Sequence, residues 1–227
     1  MPNPPPATGN LLSALPAELQ TGLFAKARSL TIEADQVLFL SGDTGDGCYR
    51  VDDGLLKVSV VAPGGGERIL AILGAGAMVG ELSVINGAPR SASVSAIRET
   101  KLSFVSRVTF DTFARGNPDL YKHVMLLLAH RLTDTNMALA ATTFLSVQGR
   151  VARALLSLAQ AFGNDVGGGR ILVRQKITQS DLAAMAGIAR ENVSRILKDW
   201  MRRGLVSRLA GYYCLEKKAV LEKEVEM

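Results

Sequence analysis

The chain has 227 residues, of which 48% are hydrophobic and 5% aromatic, and its formal net charge is +5. This length and apolar content suit one large or two modest globular domains with mainly aliphatic cores. The sequence contains no run of about 18 apolar residues, and MPNPPPATGN has no basic segment followed by an apolar one, so we expect a cytoplasmic protein without membrane span or signal peptide.

The basic charge is concentrated in the last third of the chain. Residues 1–149 contain 12 Lys and Arg and 13 Asp and Glu, whereas residues 150–227 contain 14 and 8. This asymmetry indicates a C-terminal module that faces a polyanion, although an ordinary solvated surface would give the same count. The two cysteines, Cys48 and Cys214, lack CxxC spacing, so we expect buried thiols and no redox role.

Strand-like segments fill the chain from about Thr31 to Ser106. They are rich in β-branched residues and are separated by glycine-rich turns, a pattern typical of an all-β sandwich or barrel. The predicted strands are VLFLSG, GLLKVSVV, RILAIL, SASVSA and KLSFVS. We therefore predict an antiparallel β-roll, in which APGGGE forms a hairpin turn because it lacks the Gly-Lys-Ser/Thr of a phosphate-binding loop.

Three polar residues stand out in GELSVINGAPRSASV, which covers Gly80–Val94 and resembles a buried β segment. Glu81, Arg90 and Ser91 lie there among aliphatic residues. A buried charge is costly unless it is paired. Two explanations remain open: Glu81 and Arg90 form an ion pair with each other, or a ligand satisfies them.

The segment from Asp119 to Leu145 contains no glycine or proline and is rich in helix formers, so we predict one long helix. An apolar seam recurs on it at steps of three or four residues: Tyr121, Val124, Leu128, Leu132, Thr135, Leu139 and Thr142. Such a seam either pairs with a second copy of the helix or packs on the chain's own β-roll, and we expect a homodimer. His123 and His130 on this helix have no third ligand in the sequence pattern, so we expect no metal site.

The C-terminal region begins where Ser146 can cap the helix VQGRVARALLSLAQAF, which leaves a hinge at residues 144–146. Further on, Thr178 and Asp181 form a capping box for a short helix, and Gly187 supplies the turn to a second helix. A small residue, a glycine and a β-branched residue at this spacing predict a helix-turn-helix. GLVSRLAGYYCLE follows as a β-hairpin wing.

The outer face of the second helix carries polar side chains in its N-terminal half, the part that reads base edges in the major groove. Arginine can bind guanine there, and glutamate can accept a hydrogen bond from cytosine. A solvated face with an i,i+4 ion pair between Glu191 and Arg195 would contain the same residues. We predict DNA binding by this face, which consists of Arg190, Glu191, Ser194, Arg195 and Lys198.

As a whole, the chain resembles the cyclic-AMP receptor protein and fumarate-nitrate regulator (CRP/FNR) family of bacterial transcription factors, from about Leu15 to Leu215. GELSVINGAPRSASV and ARENVSRIL carry the resemblance most specifically. It implies an α+β fold with an N-terminal, jelly-roll-like antiparallel β-roll, a long dimerisation helix and a C-terminal winged helix-turn-helix. The expected domains are residues 1–117, 118–145 and 146–227.

The resemblance implies cyclic AMP as an allosteric ligand. Arg90 would pair with the cyclic phosphate, Glu81 would accept the ribose 2′-hydroxyl, and Ser91 would complete the phosphate site with backbone N–H groups. The remaining ligand contacts would come from Gly80, Leu82, Val58, Leu70, Thr135 and Asn136. Asn136 stands where a close relative has serine, and its amide offers a donor and an acceptor, so adenine and guanine both remain open as the base.

The resemblance also implies a homodimeric regulator of palindromic, TGTGA-like double-stranded DNA, with RNA polymerase as a further partner. Phosphate contacts would come from Thr178, Gln179, Ser180 and Asn192. One alternative is a family regulator that binds DNA without cyclic AMP or senses cyclic GMP or another ligand. Another is a cyclic-nucleotide-responsive subunit that controls a partner protein. The sequence contains no catalytic constellation, so we do not expect an enzyme.

Overall fold

The computed structural model describes residues 16–226, which divide into two compact units, residues 16–133 and residues 134–226. The expectation about a signal peptide concerns MPNPPPATGN, which lies outside the described residues. Among the helices within residues 16–226, none combines the length and the apolar content needed to span a bilayer. The domain boundaries at residues 117 and 145 stay a prediction.

The first unit is built on an antiparallel sheet. Its elements are α1 (Ala17–Phe24), β1 (Arg28–Ile32), β2 (Val37–Phe39), β3 (Gly47–Val61), β4 (Glu67–Gly74), β5 (Met78–Val79), α2 (Glu81–Asn86), β6 (Ser93–Ser106), α3 (Arg107–Gly116) and α4 (Asp119–Phe144), which continues into the second unit. The sheet has the order β1-β6-β3-β4, with β2 paired to β6 and β5 paired to β3. All these pairings are antiparallel, which confirms the predicted β-roll.

Two predicted strands are in fact one. KLSFVS and the last four residues of SASVSA lie on the continuous strand β6, and the charged residues between them stay beside β3 through several register shifts. Bulges of this kind bend a long strand without ending it, so a charged stretch can resemble a turn in the sequence. The turn APGGGE does join β3 to β4, and the Ala62 amide donates to the Gly66 carbonyl at 2.9 Å.

The predicted buried β segment at Gly80–Val94 is wrong in its first half, because Glu81–Asn86 form the short helix α2. Gly80 and Gly87 flank this helix with φ of 85° and 72°. Residues with a Cβ rarely adopt such angles, so the two glycines turn the chain sharply at both ends of α2. Over so few residues, the spacing of apolar side chains does not separate a strand from a short helix.

Two apolar clusters hold the first unit together. One lies within the roll and includes Val51, Leu56 and Leu102. The other packs α1, α3 and the start of α4 on the roll and contains Cys48. Burial raises the pKa of the Cys48 thiol to about 12. Cys214 is also buried and unpaired, which confirms the prediction of two buried thiols.

The predicted long helix is confirmed as α4, but one residue of its seam is wrong. Val124 is only 4% exposed because it packs in the second cluster, whereas Met125 is 62% exposed. With Met125 in place of Val124, the steps along the seam alternate between four and three residues, as in a coiled coil. We call this set the α4 stripe: Tyr121, Met125, Leu128, Leu132, Thr135, Leu139 and Thr142.

The second unit contains the helix-turn-helix and its wing. Its further elements are α5 (Val147–Phe162), β7 (Gly163–Asp165), β8 (Ile171–Val173), α6 (Gln179–Ala186), α7 (Arg190–Arg202), β9 (Val206–Leu209), β10 (Tyr212–Leu215) and α8 (Lys218–Lys223). The strands form one sheet in the order β7-β8-β10-β9. The antiparallel pair β9–β10 is the predicted wing. The break between α4 and α5 falls at residues 145–146, within the predicted hinge.

Local sequence signals explain where these helices begin and end. Ser146 accepts a hydrogen bond from the Gly149 amide at 3.0 Å and so caps α5. Thr178 and Asp181 form the predicted capping box at the start of α6. Gly187 ends α6 in the left-handed region, with φ of 65°, which allows α7 to leave in a new direction.

Candidate ligand and nucleic-acid sites

The first candidate site surrounds the buried guanidinium of Arg90, which is 3% exposed. Its Nη1 donates to the carbonyl of Gly47 at 2.8 Å and to the carbonyl of Gly80 at 2.9 Å. Its Nη2 donates to Oδ1 of Asp46 at 3.0 Å. The loop before β3 and the N-terminal side of α2 therefore hold one edge of this side chain.

The rest of the Arg90 guanidinium is less completely satisfied. Its Cζ lies 4.3 Å from the centre of the Phe39 ring, a cation–π contact that fixes the plane of the group. Its Nε is buried and has no hydrogen-bond partner within residues 16–226. A guanidinium offers five N–H donors in a planar fork, so this edge can still donate to an oxygen of a bound anion.

Glu81 provides the second buried charge, at the first position of α2, and it is 1% exposed. Its Oε1 accepts from Nη1 of Arg131 on α4, and Nη2 of Arg131 donates to the Met78 carbonyl at 2.7 Å. In contrast, Oε2 of Glu81 is buried without a hydrogen-bond partner in the described part of the chain. A carboxylate oxygen in this position can accept a hydrogen bond from a hydroxyl group.

The ion pair between Glu81 and Arg90 that the sequence left open does not form. Arg90 pairs with Asp46, and Glu81 pairs with Arg131. Sequence reasoning missed both partners. Arg131 lies one helical turn after the buried Leu127, on the same face of α4. A charged residue on a buried helix face was therefore the sequence signal that could have identified Arg131 as a partner of a buried carboxylate. Asp46 lies in the loop GDTGDG, where an acidic residue is ordinary and gives no signal.

The other predicted ligand residues of the first unit lie on several elements. Ser91 and Leu82 are exposed, on the segment before β6 and on α2. Val58 is half-buried on β3, packs on the cluster within the roll and pairs in register with Val94. Leu70 is 56% exposed and stands at the register shift between β3 and β4, where a bulge redirects the side chain.

Thr135 and Asn136 lie in the second unit, where both side chains are exposed on α4. Their roles as ligand contacts stay a prediction. Within residues 16–226, no three histidine, cysteine or acidic side chains come together as a metal site requires.

A substitution at Gly80 tests how closely the backbone packs against the Arg90 guanidinium. A Cβ at Gly80 would overlap Nη1 of Arg90, whereas a Cβ at Gly87 would meet its nearest neighbour, Nη1 of Arg107, at 3.6 Å. Both glycines have positive φ, so alanine at either position costs about 1–2 kcal/mol of backbone strain. We expect Gly80→Ala to lower the free energy of unfolding by about 1–3 kcal/mol more than Gly87→Ala, measured by urea denaturation. Equal losses would contradict the packing described for Arg90.

The second candidate site is the outer face of the helix-turn-helix. Val193, Ile196 and Leu197 of α7 are buried, as predicted. The opposite side of α7 and the first residue of α6 line a groove of about 440 Å³, made of Gln179, Arg190, Glu191, Ser194, Arg195 and Lys198. The structure thus brings six of the predicted DNA-binding residues onto one surface.

Hydrogen bonds on this face set which groups are available. Nη2 of Arg195 donates to Oδ1 of Asn192 at 2.9 Å, and the predicted alternative pair with Glu191 is not among the ion pairs of the described residues. The Thr178 hydroxyl accepts from the Asp181 amide at 3.0 Å in the capping box, and it also donates to Oδ2 of Asp181 at 2.7 Å. Ser180 is exposed in the first turn of α6. This exposed hydroxyl can donate to a phosphate oxygen.

The charge of the groove suits an anionic partner. Three cationic side chains, Arg190, Arg195 and Lys198, face one carboxylate, that of Glu191. Arg202 and Arg203 lie further along α7 and bind Asp199. Their hydrogen bonds lower the pKa of the Asp199 carboxyl, and its negative charge partly compensates the two arginines. The N-terminal half of a recognition helix is the part that meets base edges, so Arg190, Arg195 and Lys198 are the cations placed for such contacts.

Two family models match the chain. The cyclic nucleotide-binding domain matches residues 29–117, and the Crp-like helix-turn-helix domain matches residues 149–224. Both candidate sites lie within these ranges, apart from Thr135, Asn136 and Arg131 on α4.

Curated relatives and solved structures extend these matches over most of the chain. A CRP-like cAMP-activated global transcriptional regulator of Mycobacterium tuberculosis is 34% identical over 200 residues, which cover 88% of this chain and 85% of the relative. The cyclic AMP receptor protein of Thermus thermophilus is 34% identical and is matched over 82% of both chains. The structure of FixK2 from Bradyrhizobium japonicum shares the fold, with a TM-score of 0.79 at 18% identity, over 88% of this chain and 98% of FixK2.

The antiparallel β-roll, the long helix and the winged helix-turn-helix occur here in the order that the resemblance implied. The identity to the Mycobacterium tuberculosis regulator extends across both matched domains. The chain therefore belongs to the CRP/FNR family of transcription regulators, and it is a DNA-binding regulator and not an enzyme.

Proposed function

We propose that this regulator binds cyclic AMP at Arg90 and Glu81 and, as a homodimer, recognises palindromic TGTGA-like DNA. The observation that carries the proposal is a pair of buried, incompletely satisfied polar groups at one short segment. Nε of Arg90 lacks an acceptor and Oε2 of Glu81 lacks a donor within the described chain. A cyclic nucleotide offers both complements, an anionic phosphate and a ribose hydroxyl.

The remaining ligand contacts follow from the resemblance. Ser91 and the backbone near Gly80 complete the phosphate site, while Val58, Leu70 and Leu82 supply apolar contacts to the sugar and base. Thr135 and Asn136 on α4 meet the base. The amide of Asn136 can donate and accept, so it serves adenine through the exocyclic amine and a ring nitrogen.

The α4 stripe is the proposed dimer interface. Tyr121, Leu132 and Leu139 are about half exposed or more, although each is a large apolar side chain. Their spacing supports a parallel pairing with the same helix of a second copy. Two copies would place two recognition helices about 34 Å apart, one turn of DNA, and the ligand would favour that arrangement through the hinge at residues 145–146.

A charge in the α4 stripe tests the dimer. Leu132→Asp removes a leucine from each helix, so we expect the free energy of dimerisation to weaken by about 3–6 kcal/mol. Analytical ultracentrifugation at micromolar concentration should show monomers. Val108→Asp is the matched control, because Val108 is 75% exposed on α3 and lies off the stripe. A dimer that survives Leu132→Asp, or that dissociates equally with Val108→Asp, would place the interface elsewhere.

The proposed DNA contacts divide into base readout and phosphate contacts. Arg190, Glu191 and Arg195 read bases, and Ser194 lies on the same face. Phosphates are bound by Gln179, Ser180, Asn192 and Lys198, and by Thr178 when its hydroxyl turns from Asp181 to the phosphate. RNA polymerase is the further partner that the family implies.

A DNA-binding titration tests the proposed function. The probe is a palindromic duplex with two TGTGA half-sites, titrated with the full-length protein in the presence of cyclic AMP, cyclic GMP or no nucleotide. We expect tight binding with cyclic AMP and at least fivefold weaker binding without it, the lower end of ordinary allosteric coupling, roughly 5- to 150-fold. Stronger activation by cyclic GMP would correct the base preference and leave the mechanism intact.

A second candidate is a family regulator that binds DNA without cyclic AMP. The observation that favours it is that Arg90 and Glu81 each have a charged protein partner, Asp46 and Arg131. These pairs compensate the buried charges without a ligand. In the same titration this candidate predicts equal DNA affinity in all three conditions.

A further inference from the structure

Asp46 lies beside Arg90, the most buried cation of the ligand site. Its Oδ1 is 3.0 Å from Nη2 of Arg90, but its side chain is 66% exposed whereas that of Arg90 is 2% exposed. The carboxylate thus lies at the solvent-facing edge of a buried guanidinium. An anion that approaches Arg90 from solvent therefore also meets the negative charge of Asp46.

Most of the contacts that place Arg90 do not involve this carboxylate. Two main-chain carbonyls, of Gly47 and Gly80, accept from Nη1, and the Phe39 ring packs on the guanidinium. The Arg90 amide donates to the Asp43 carbonyl at 2.8 Å. Removal of the Asp46 charge should therefore leave the guanidinium where it is and change mainly the electrostatic potential around it.

The backbone keeps Asp46 in place in turn. Its carbonyl accepts from the amide of Arg107, the first residue of α3, at 2.9 Å. Gly45, its neighbour, packs so closely on Ser83 of α2 that a Cβ there would overlap that side chain. The backbone that carries the carboxylate is thus fixed to two helices, so a bound anion can displace this charge only by rotating the short Asp46 side chain.

We infer that Asp46 is an internal counterion of Arg90 that sets the charge selectivity of the ligand site, favouring singly charged phosphodiesters over doubly charged phosphomonoesters. The inference rests on the proposed function, in which a nucleotide phosphate binds Arg90. A cyclic phosphodiester carries one negative charge, whereas a phosphomonoester carries close to two above its second pKa of about 6. Repulsion by Asp46 grows in proportion to the ligand charge, so the monoester suffers about twice the penalty.

The test compares Asp46→Asn with the wild-type protein by calorimetry at pH 8, using cyclic AMP and 5′-AMP. Asparagine keeps the size of the side chain and an oxygen that can accept from Nη2, and it removes the charge. We expect cyclic AMP to bind roughly fivefold more tightly and 5′-AMP roughly 25-fold more tightly, since the effect in logarithmic units doubles with the charge. Adenosine, which has no phosphate, should show no change in affinity.

Two further variants separate the charge from other effects. Asp53→Asn is the matched control, because Asp53 is also an exposed partner of an arginine, Arg98, at 3.1 Å, on the same sheet. It should leave all affinities unchanged. Asp46→Glu keeps the charge and should retain the wild-type preference for the diester, and unchanged adenosine binding shows that Asp46→Asn is folded.

A measurement that needs no nucleotide distinguishes failure of this inference from failure of the proposed function. Inorganic phosphate should raise the melting temperature of Asp46→Asn more than that of the wild type or Asp53→Asn. If neither the wild type nor Asp46→Asn binds cyclic AMP, the proposed function fails. The counterion role is then supported by a larger phosphate-induced rise in the melting temperature of Asp46→Asn, and it is overturned if the rise is equal in all three proteins. If the wild type binds cyclic AMP and Asp46→Asn has the same affinities for both nucleotides, the counterion role is overturned and the proposed function stands.

Discussion

Arg90→Leu is expected to weaken cyclic AMP binding by about 3 kcal/mol, roughly a hundredfold, without unfolding the β-roll. The Arg90 guanidinium is buried and positively charged, and its Nε has no hydrogen-bond partner in the described chain. Leucine can neither neutralise a phosphate nor donate a hydrogen bond to it. Arg90→Lys should recover only part of the affinity, because an ammonium group keeps the charge but loses the planar fork of donors. Isothermal titration calorimetry of the full-length variants measures both effects.

Arg98→Leu is the control for this experiment. Arg98 lies on β6, near Arg90 in the sequence, but it is exposed and pairs with Asp53 on the surface. We expect its variant to bind cyclic AMP like the wild type. Wild-type affinity in a folded Arg90→Leu protein, checked by urea denaturation, would remove Arg90 from the ligand site.

Arg190→Ala is expected to abolish the preference for one base pair of each half-site. A bidentate arginine–guanine contact discriminates by about 1–3 kcal/mol, so the variant should bind the consensus probe and the probe with that pair substituted almost equally. Other substituted probes should keep their wild-type penalties. The dependence of affinity on salt should change little, because Arg190 is assigned to a base and not to a phosphate. Fluorescence anisotropy on a set of single-substitution probes, repeated at several salt concentrations, gives the lost preference, the remaining penalties and the salt dependence.

Two other cationic residues of α7, Lys198 and Arg202, provide comparison variants for Arg190→Ala. Lys198→Ala should weaken binding to every probe alike and reduce the salt slope by about 1, as loss of a phosphate contact does. Arg202→Ala should have little effect, because Arg202 is bound to Asp199. A uniform loss across all probes for Arg190→Ala would assign this residue to the phosphate backbone instead.

The fold followed from the sequence wherever a local signal had a single structural meaning. The capping residues Ser146 and Thr178 and the turn at Gly187 each specify one geometry, and all three are found as predicted. The errors arose where local patterns are ambiguous. The segment Glu81–Asn86, with three apolar residues in six, fits a strand and a short helix equally, and the structure shows a helix flanked by two glycines with positive φ.

The candidate ligand site was only half visible in the sequence. Glu81 and Arg90 stood out as charges among aliphatic residues, but their partners are 50 and 44 positions away along the chain. Such pairings depend on how the roll closes, which local patterns do not encode. Similarly, Val124 and Met125 are adjacent and both apolar, and tertiary packing alone decides which of them faces the core.

The most direct test of the account is the reciprocity between ligand and DNA. If cyclic AMP at Arg90 favours the DNA-binding arrangement, DNA must tighten cyclic AMP binding by the same factor by which cyclic AMP tightens DNA binding. Calorimetric titration of cyclic AMP into the dimer, alone and saturated with the palindromic duplex, measures this factor. We expect at least fivefold tighter nucleotide binding with DNA present, and identical nucleotide affinity in the two titrations would contradict allosteric coupling between the two sites.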